Sequence, residues 1–276
     1  MKKNHSVILR STLLAATALV GCAGAQAAIT CSLRSNGFSS AYVPANLSIN
    51  VTAASFTMTC TRDSVTTDAA SQAYTVSVNN GENNNNAKSG NNLINYDLYV
   101  DSSCITLWKN RTLRGTINFG STLLTESQTV PFWGCIPARQ TTVPAGTFVD
   151  TVTMNPSIGS LASLPVSIVT PSSCTVTSPP GDIIFNYAGL QTTSASASSN
   201  FGATCTSRLP YSLALDATSG VLAGLTYTLS LSATSSIGNG FSQPYTINGT
   251  MPAGQSGACI TGVCSGTQAR TLTITY

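Results

Sequence analysis

The chain has 276 residues, of which only 8% are charged and 7% aromatic, so it is neither a disordered polyelectrolyte nor a heptad-built helical protein. The length exceeds the roughly 150 residues usual for one domain and sets two domains as the prior. Its single histidine is His5, so a chain that has lost its first residues has no imidazole for general-base catalysis, charge relay or metal ligation.

Lys2, Lys3 and Arg10 precede an uncharged run over residues 11–20, and Ala25-Gln26-Ala27 places small residues at both cleavage-determining positions. Residues 1–27 are therefore expected to be a signal peptide that exports the protein. A competing pattern, Leu19-Val20-Gly21-Cys22, resembles a lipoprotein processing box and makes Cys22 an alternative lipidated terminus. No later stretch reaches the roughly 20 apolar residues of a transmembrane helix. Cleavage after Ala27 removes three of 12 basic and none of nine acidic residues. The mature net charge is then zero, and no basic stripe remains for nucleic acid.

Eight cysteines follow: Cys31, Cys60, Cys104, Cys135, Cys174, Cys205, Cys259 and Cys264. Even parity in an exported chain reads as disulfides. No cysteine pair has zinc-knuckle spacing, so neither a metal nor a cofactor is expected.

Next in chain order come short runs bounded by Gly, Asn, Pro or Ser that alternate apolar and polar residues, which predicts half-buried antiparallel strands. The first end at Cys60 and at Val78, and Asn83, Asn84, Asn85 and Asn86 form a polar loop before Tyr96-Asp97-Leu98-Tyr99-Val100. Lys109, Arg111 and Arg114 make a local basic cluster, read first as a solvated loop and second as a site for carbohydrate or an anionic surface. Trp108 and Trp133 stand near Cys104 and Cys135, which are expected to bridge, and the indoles are expected to pack. Leu123 and Leu124 are adjacent between polar residues; strand neighbours face opposite sides, so both are hard to bury. Pro137-Ala138-Arg139-Gln140 and Gly146-Thr147-Phe148-Val149-Asp150 lead to a strand at Val152-Thr153-Met154, and residues 161–170 carry Leu164, Val166 and Ile168 in one further alternating strand.

The landmarks then recur in order, the signature of a diverged tandem duplication. Cys174 and Cys205 echo Cys31 and Cys60, and in each pair the bridge is expected to staple the opening strands. Tyr211-Ser212-Leu213-Ala214-Leu215 echoes Tyr74-Thr75-Val76-Ser77-Val78, and Tyr227-Thr228-Leu229-Ser230-Leu231 echoes the run from Tyr96. Pro252-Ala253-Gly254-Gln255 echoes the run from Pro137. Cys259 and Cys264 are expected to close a small loop. Gly266-Thr267 aligns with Gly146-Thr147, which sets Leu272-Thr273-Ile274 against Val152-Thr153-Met154. The last strand, Leu272, Ile274 and Tyr276, has no continuation equivalent to 161–170. The fold expected is all-β: two tandem immunoglobulin-like sandwiches, the second without its last strand. Such an open edge calls for a strand from another chain.

This organisation resembles the spore coat U domain family, the subunits of archaic chaperone/usher pili. The resemblance rests on Tyr96 to Asp101 with Trp108, on Gly134, on the runs from Pro137 and Gly146, and on their second-half counterparts. It implies a sandwich completed by the N-terminal extension of the next subunit after a periplasmic chaperone has held its groove, with an outer-membrane usher as exit. Only Ala28, Ile29 and Thr30 separate the cleavage point from Cys31, too few for a donor strand at about 3.3 Å per residue. The expectation is a tip adhesin that accepts a strand without giving one, exported through the periplasm to the cell surface for attachment to a target surface or host receptor and for biofilm formation. Its parts are an adhesin-like domain (28–160), a fused strand acting as donor in cis (161–173) and a pilin-like domain (174–276) with Leu272, Ile274 and Tyr276 as acceptor edge. The alternative is a structural coat or lipid-anchored surface protein of the same family.

From Val100 to Gln128 there are 28 positions, against 12 from Leu231 to Gln243. That extra length in the first domain points to a special role. Strand parity puts the 119–127 connection and the 155–162 turn at the pole away from the second domain. Phe119, Leu123, Leu124, Ile158 and Leu161 are thus the expected contact loops for a target surface. An enzyme is not expected, because Asp97 and Asp150 near strand ends have no base or nucleophile beside them.

Overall fold

The computed structural model describes residues 29–258 and 266–276. The leader, Cys22, Cys259 and Cys264 lie outside the described residues. Among those described, no helix is long and apolar enough to cross a membrane. The chain forms two tandem β-sandwiches, as strand-length alternation bounded by turn residues requires.

The N-terminal sandwich comprises β1 (Thr30–Ser35), β2 (Phe38–Ala41), β3 (Asn50–Thr61), β4 (Ser71–Val78), β5 (Asn86–Ser89), β6 (Asn92–Asn95), β7 (Asp97–Tyr99), β8 (Leu113–Asn118), β9 (Thr125–Ile136), β10 (Gly146–Pro156) and β11 (Ala162–Thr170). One sheet runs β1-β3-β9-β7, and the other runs β2-β11-β10-β4-β8 with the β5–β6 hairpin attached to β10. The alternate residues Val152, Met154, Leu164, Val166 and Ile168 of β10 and β11 point into one core with Phe38, Phe56, Phe132 and Phe148, all nearly or wholly buried.

Trp108 sits in a single 3-10 turn (Trp108–Asn110) and is fully buried. Its Nε1 donates to Val76 O at 3.0 Å, and its ring packs on Phe56 and Phe132. Trp133 is half-buried. Disulfides join Cys31 to Cys60 across β1–β3 and Cys104 to Cys135.

The C-terminal sandwich comprises β12 (Cys174–Ser178), β13 (Ala195–Cys205), β14 (Pro210–Leu215), β15 (Ser219–Leu222), β16 (Leu225–Leu231), β17 (Ser235–Ile237), β18 (Ser242–Met251) and β19 (Leu272–Thr275). One sheet is β12-β13-β18-β16-β15 and the other β17-β14-β19. Cys174 bridges Cys205. Among the described residues the second sheet has no strand in the places of β2, β11 and the β5–β6 hairpin, which is why it is the smaller.

The register of the last strand corrects the repeat alignment by two residues. Met154 pairs with Val78 and Leu272 with Leu215, so Leu272 is the counterpart of Met154, not of Val152. A buried hydroxyl fixes this register. Tyr96 donates to Asp150 Oδ2 at 2.7 Å, and the equivalent Tyr227 hydroxyl donates to Gln268 Oε1 at 2.6 Å while accepting from Arg270 Nε at 3.0 Å. Gln268 therefore takes the place of Asp150, four residues before the paired strand position in both cases. A shared Gly-Thr dipeptide misleads the sequence alignment, whereas the need to satisfy a buried phenol does not.

Candidate functional site

In the N-terminal sandwich β11 occupies a slot between two strands. It pairs antiparallel with β10 along its whole length, from Gly146↔Thr170 to Met154↔Ala162, and parallel with β2 from Val166↔Phe38 to Val169↔Ala41. Leu164, Val166 and Ile168 face inward and are at most 2% exposed. In the C-terminal sandwich one edge of β19 pairs with β14, and among the described residues no strand pairs with the other edge. The counterpart of β2 is the segment 183–187, which among the described residues pairs with no strand. There Ile183, Phe185 and Tyr187 are half-buried and alternate with exposed Ile184 and Asn186. Leu272 and Ile274 are likewise half-buried, and Tyr276 is exposed. The result is a slot whose apolar floor and backbone edge lack the strand that fills its twin.

Both slots are bounded by the same polar knot, which explains the repeated Pro-Ala-x-Gln motif. The Tyr42 hydroxyl donates to Pro137 O (2.8 Å) and accepts from Gln140 N (3.0 Å). Gln140 pairs doubly with the Asn95 backbone, donating from Nε2 to O and accepting at Oε1 from N. In the second sandwich Tyr187 donates to Pro252 O (2.8 Å) and accepts from Gln255 N (3.0 Å), and Gln255 pairs with the Thr226 backbone in the same way. The residue before each glutamine is left-handed, Arg139 at φ 60° and Gly254 at φ 79°, which turns the amide nitrogen toward the phenol. Burial raises the Tyr42 pKa, and its bonds to Gln140 partly offset this. Gly134 leaves room for the Phe38 ring, and Gly249 for Phe185; a Cβ at either position would fall 2.5 Å or less from the ring.

The far pole of the N-terminal sandwich is the end away from its contacts with the second. Those contacts include Arg208 Nη1 donating to Asn92 Oδ1 (2.8 Å), a bridge between Pro144 and Ser207, and the close approach of Gly240 to Thr141 O. At the far pole Gly159, in the β10–β11 turn, lies against Cys31 O. The β8–β9 loop is held by Arg62, which is 2% exposed. Its Nε donates to Leu123 O (3.0 Å), its Nη2 to Gly120 O (2.6 Å), and its backbone N to Leu124 O (2.8 Å). The guanidinium also lies over the Phe119 ring, 5.0 Å from its centroid.

Phe119 is consequently core, 7% exposed, and not a contact residue: the arginine needs an aromatic floor and the loop folds over both. Ile158 is half-buried against the same core. Leu123, Leu124 and Leu161 are exposed at 47%, 45% and 64%, and Val65 in the β3–β4 loop joins them at this pole.

Arg62 and the Tyr–Gln knots escape sequence reasoning. An arginine in Thr61-Arg62-Asp63 reads as surface, although its place at the end of a cysteine-bearing strand was a signal. Tyr42 and Tyr187 stand at matched distances from the first cysteine of each repeat, 11 and 13 residues on, and that recurrence could have revealed them. No group of three or more potential metal ligands occurs among the described residues.

Among known proteins, the family model described as the Spore Coat Protein U domain matches residues 16–155 and 160–237. No curated protein matches the chain. Two solved structures resemble the chain at low identity. The CsuC–CsuE chaperone–tip adhesion subunit pre-assembly complex from archaic chaperone-usher Csu pili of Acinetobacter baumannii is 14% identical, with a TM-score of 0.40 over 89% of this chain and 99% of that one. The CupB6 tip adhesin from Pseudomonas aeruginosa is 13% identical, with a TM-score of 0.34 over 90% and 94%.

Proposed function

We infer a role at the end of a surface fibre for this chain, which belongs to the Spore Coat Protein U domain family. Its C-terminal sandwich accepts a strand from an adjacent pilin subunit, and its N-terminal sandwich carries the loops that meet a target surface. One observation carries the reading: the slot filled by β11 between β2 and β10 has an open counterpart beside β19. Strand addition there gains ladder hydrogen bonds and buries Ile183, Phe185, Leu272 and Ile274, the combination on which β-augmentation rests. Before that, a periplasmic chaperone covers the edge, and an outer-membrane usher passes the subunit outward. Leu123, Leu124 and Leu161 at the far pole are the contact residues, and attachment through them supports biofilm formation.

The test is calorimetry on residues 28–276 produced in an oxidising compartment, alone and with residues 162–170 appended after Tyr276 through a flexible linker. The expected result is one cooperative transition for the chain alone, from the N-terminal sandwich, and a second on fusion. Two cooperative transitions without the added strand, unchanged by it, would remove the acceptor assignment in favour of a free-standing coat or lipid-anchored protein. Replacing Leu123 and Leu124 by Ser should abolish attachment; unchanged attachment sinks the loop assignment alone.

A further inference from the structure

The flank of the N-terminal sandwich carries an open groove of about 500 Å³ lined by Ser77, Lys109, Asn110, Arg111, Thr112 and Arg114. It lies on edge strand β8 and its neighbour β4, apart from both the far-pole loops and the β19 slot. Three of the nine basic residues in 28–276 meet there, and among the described residues Asp97 is the one carboxylate within ion-pair distance of any of them. That acid is already engaged: Asp97 Oδ1 accepts from Lys109 Nζ (2.9 Å) and Asn85 Nδ2 (2.6 Å). Arg111 and Arg114 are exposed and, among the described residues, make no ion pair and no side-chain hydrogen bond. Two guanidinium forks are thus unmatched in a sandwich with few charges.

The groove is also held in shape before any ligand arrives. Arg111 N donates to Trp108 O (2.9 Å), and Asn110 N donates to Leu107 O (3.3 Å). That turn is anchored by the buried indole bonded to Val76 of β4. Arg114 stands opposite Thr75 in the β4–β8 ladder. A backbone held in place loses less freedom on binding than a mobile loop does. The groove also belongs to the longer connection of the first sandwich, residues 100–112 between β7 and β8: the second covers the equivalent step with three residues, 232–234, between β16 and β17.

We propose that this groove binds an anionic polysaccharide, its sulfate, phosphate or carboxylate groups held by Arg111 and Arg114 with Lys109 on one wall, and its sugar hydroxyls by Ser77, Asn110 and Thr112. Planar guanidinium forks match such oxyanions bidentately, and the neutral amide and hydroxyl groups suit a polyol. Single-stranded nucleic acid fits less well, because no lining residue is an aromatic on which a base could stack. The inference does not depend on the fibre reading, since it concerns binding by the chain alone.

The test immobilises residues 28–276 and measures binding of heparan sulfate, a phosphomannan, alginate, neutral dextran and single-stranded DNA at two salt concentrations. At least one anionic polysaccharide should bind, more weakly at higher salt, while dextran does not. The comparison between sulfated, phosphorylated and carboxylated chains identifies the anion. The double variant R111Q/R114Q should lose about tenfold or more in affinity with its melting temperature unchanged. R34Q/K88Q removes the same charge from exposed sites elsewhere and should change affinity less than about twofold. The inference falls if no anionic polysaccharide binds, if both double variants lose equally, or if the DNA binds as tightly as the best polysaccharide. Leu123→Ser with Leu124→Ser should leave this binding intact, so failure of the groove and of the contact loops can be told apart.

Discussion

Ile168→Ala paired with Val169→Ala tests the placement of β11 more sharply than deleting the strand. Ile168 is fully buried, opposite Phe148 on β10 and Ser40 on β2, whereas its neighbour Val169 is 44% exposed on the other face. Truncating a buried isoleucine to alanine costs about 2–5 kcal/mol, because lost transfer free energy and a residual cavity add. Val169→Ala removes two methyls from a half-solvated surface and should stay within about 0.5 kcal/mol. For a sandwich of this size 1 kcal/mol moves the midpoint by roughly 3–5 °C, so Ile168→Ala should lower the N-terminal transition by roughly 6–25 °C. The assay is calorimetry backed by urea unfolding of the chain carrying residues 162–170 after Tyr276, whose C-terminal transition serves as internal reference. Equal losses from the two substitutions, or a larger one from Val169→Ala, would refute the argument, because a one-residue slip of β11 exchanges its two faces.

Arg62→Met should destabilise the N-terminal sandwich by about 2–4 kcal/mol and expose the 120–124 loop to proteolysis. Its charge-assisted bonds are worth about 1.5–3 kcal/mol each, partly offset by no longer burying a cation without a carboxylate; an unchanged melt and digestion pattern would count against it. Gln255→Ala removes the side-chain bonds that satisfy the Thr226 N–H and carbonyl, while the Gln255 backbone N still donates to Tyr187, so it should cost the C-terminal sandwich about 1–3 kcal/mol and spare the other, with Gln140→Ala doing the reverse, in calorimetry of the chain carrying residues 162–170 after Tyr276. Burial, together with the hydrogen bond to Tyr245, pushes the Tyr211 phenol up to about 12 from 10.0. The folded state therefore holds its proton where the unfolded state releases it. That stability is fully present below pH 10 and is lost between pH 10 and about 12; in the chain carrying residues 162–170 after Tyr276, the urea midpoint of the C-terminal sandwich across that window should fall less steeply in Tyr211→Phe.

The two sandwiches were legible because their evidence is local. Alternation in runs such as 74–78 and 211–215, punctuated by Gly and Asn, is read within one strand. The duplication also survives as matched order. What stayed hidden was set by contacts between distant residues. Tyr42 and Gln140 are 98 positions apart, and neither is unusual until the phenol is seen between Pro137 O and Gln140 N. Phe119 misled for a related reason. Next to Gly120 and Ser121 it looks like part of a loop tip, and only the guanidinium of Arg62, 57 positions earlier, makes that place an interior one. The two-residue error in the last strand arose because Gly266-Thr267 repeats the letters of Gly146-Thr147, while the residue that governs register, Gln268, differs chemically from Asp150.

The knots also bear on how an open slot can exist without collapsing. Filled or empty, each slot is bounded by a tyrosine tied to the Pro-Ala-x-Gln turn, and the second knot is complete although the segment over 183–187 pairs with no strand among the described residues. Tyr187 fixes one end of that segment, and Pro179 and Pro180 restrict the chain before the other. Ile183 and Phe185 therefore remain aligned along the floor, Phe185 seated where Gly249 lacks a Cβ and 6.1 Å from the Tyr227 ring. A strand entering the proposed acceptor slot meets a floor that is already ordered, and its binding spends little on fixing the host. In the first sandwich the same floor is covered by β11, so its core can include residues such as Phe148 and Ile168 that are wholly buried. The second sandwich has Gly266 where Phe148 stands, which follows from the register set by Gln268, and so it has a thinner core of its own on the side where the proposed donor would supply the missing apolar side chains.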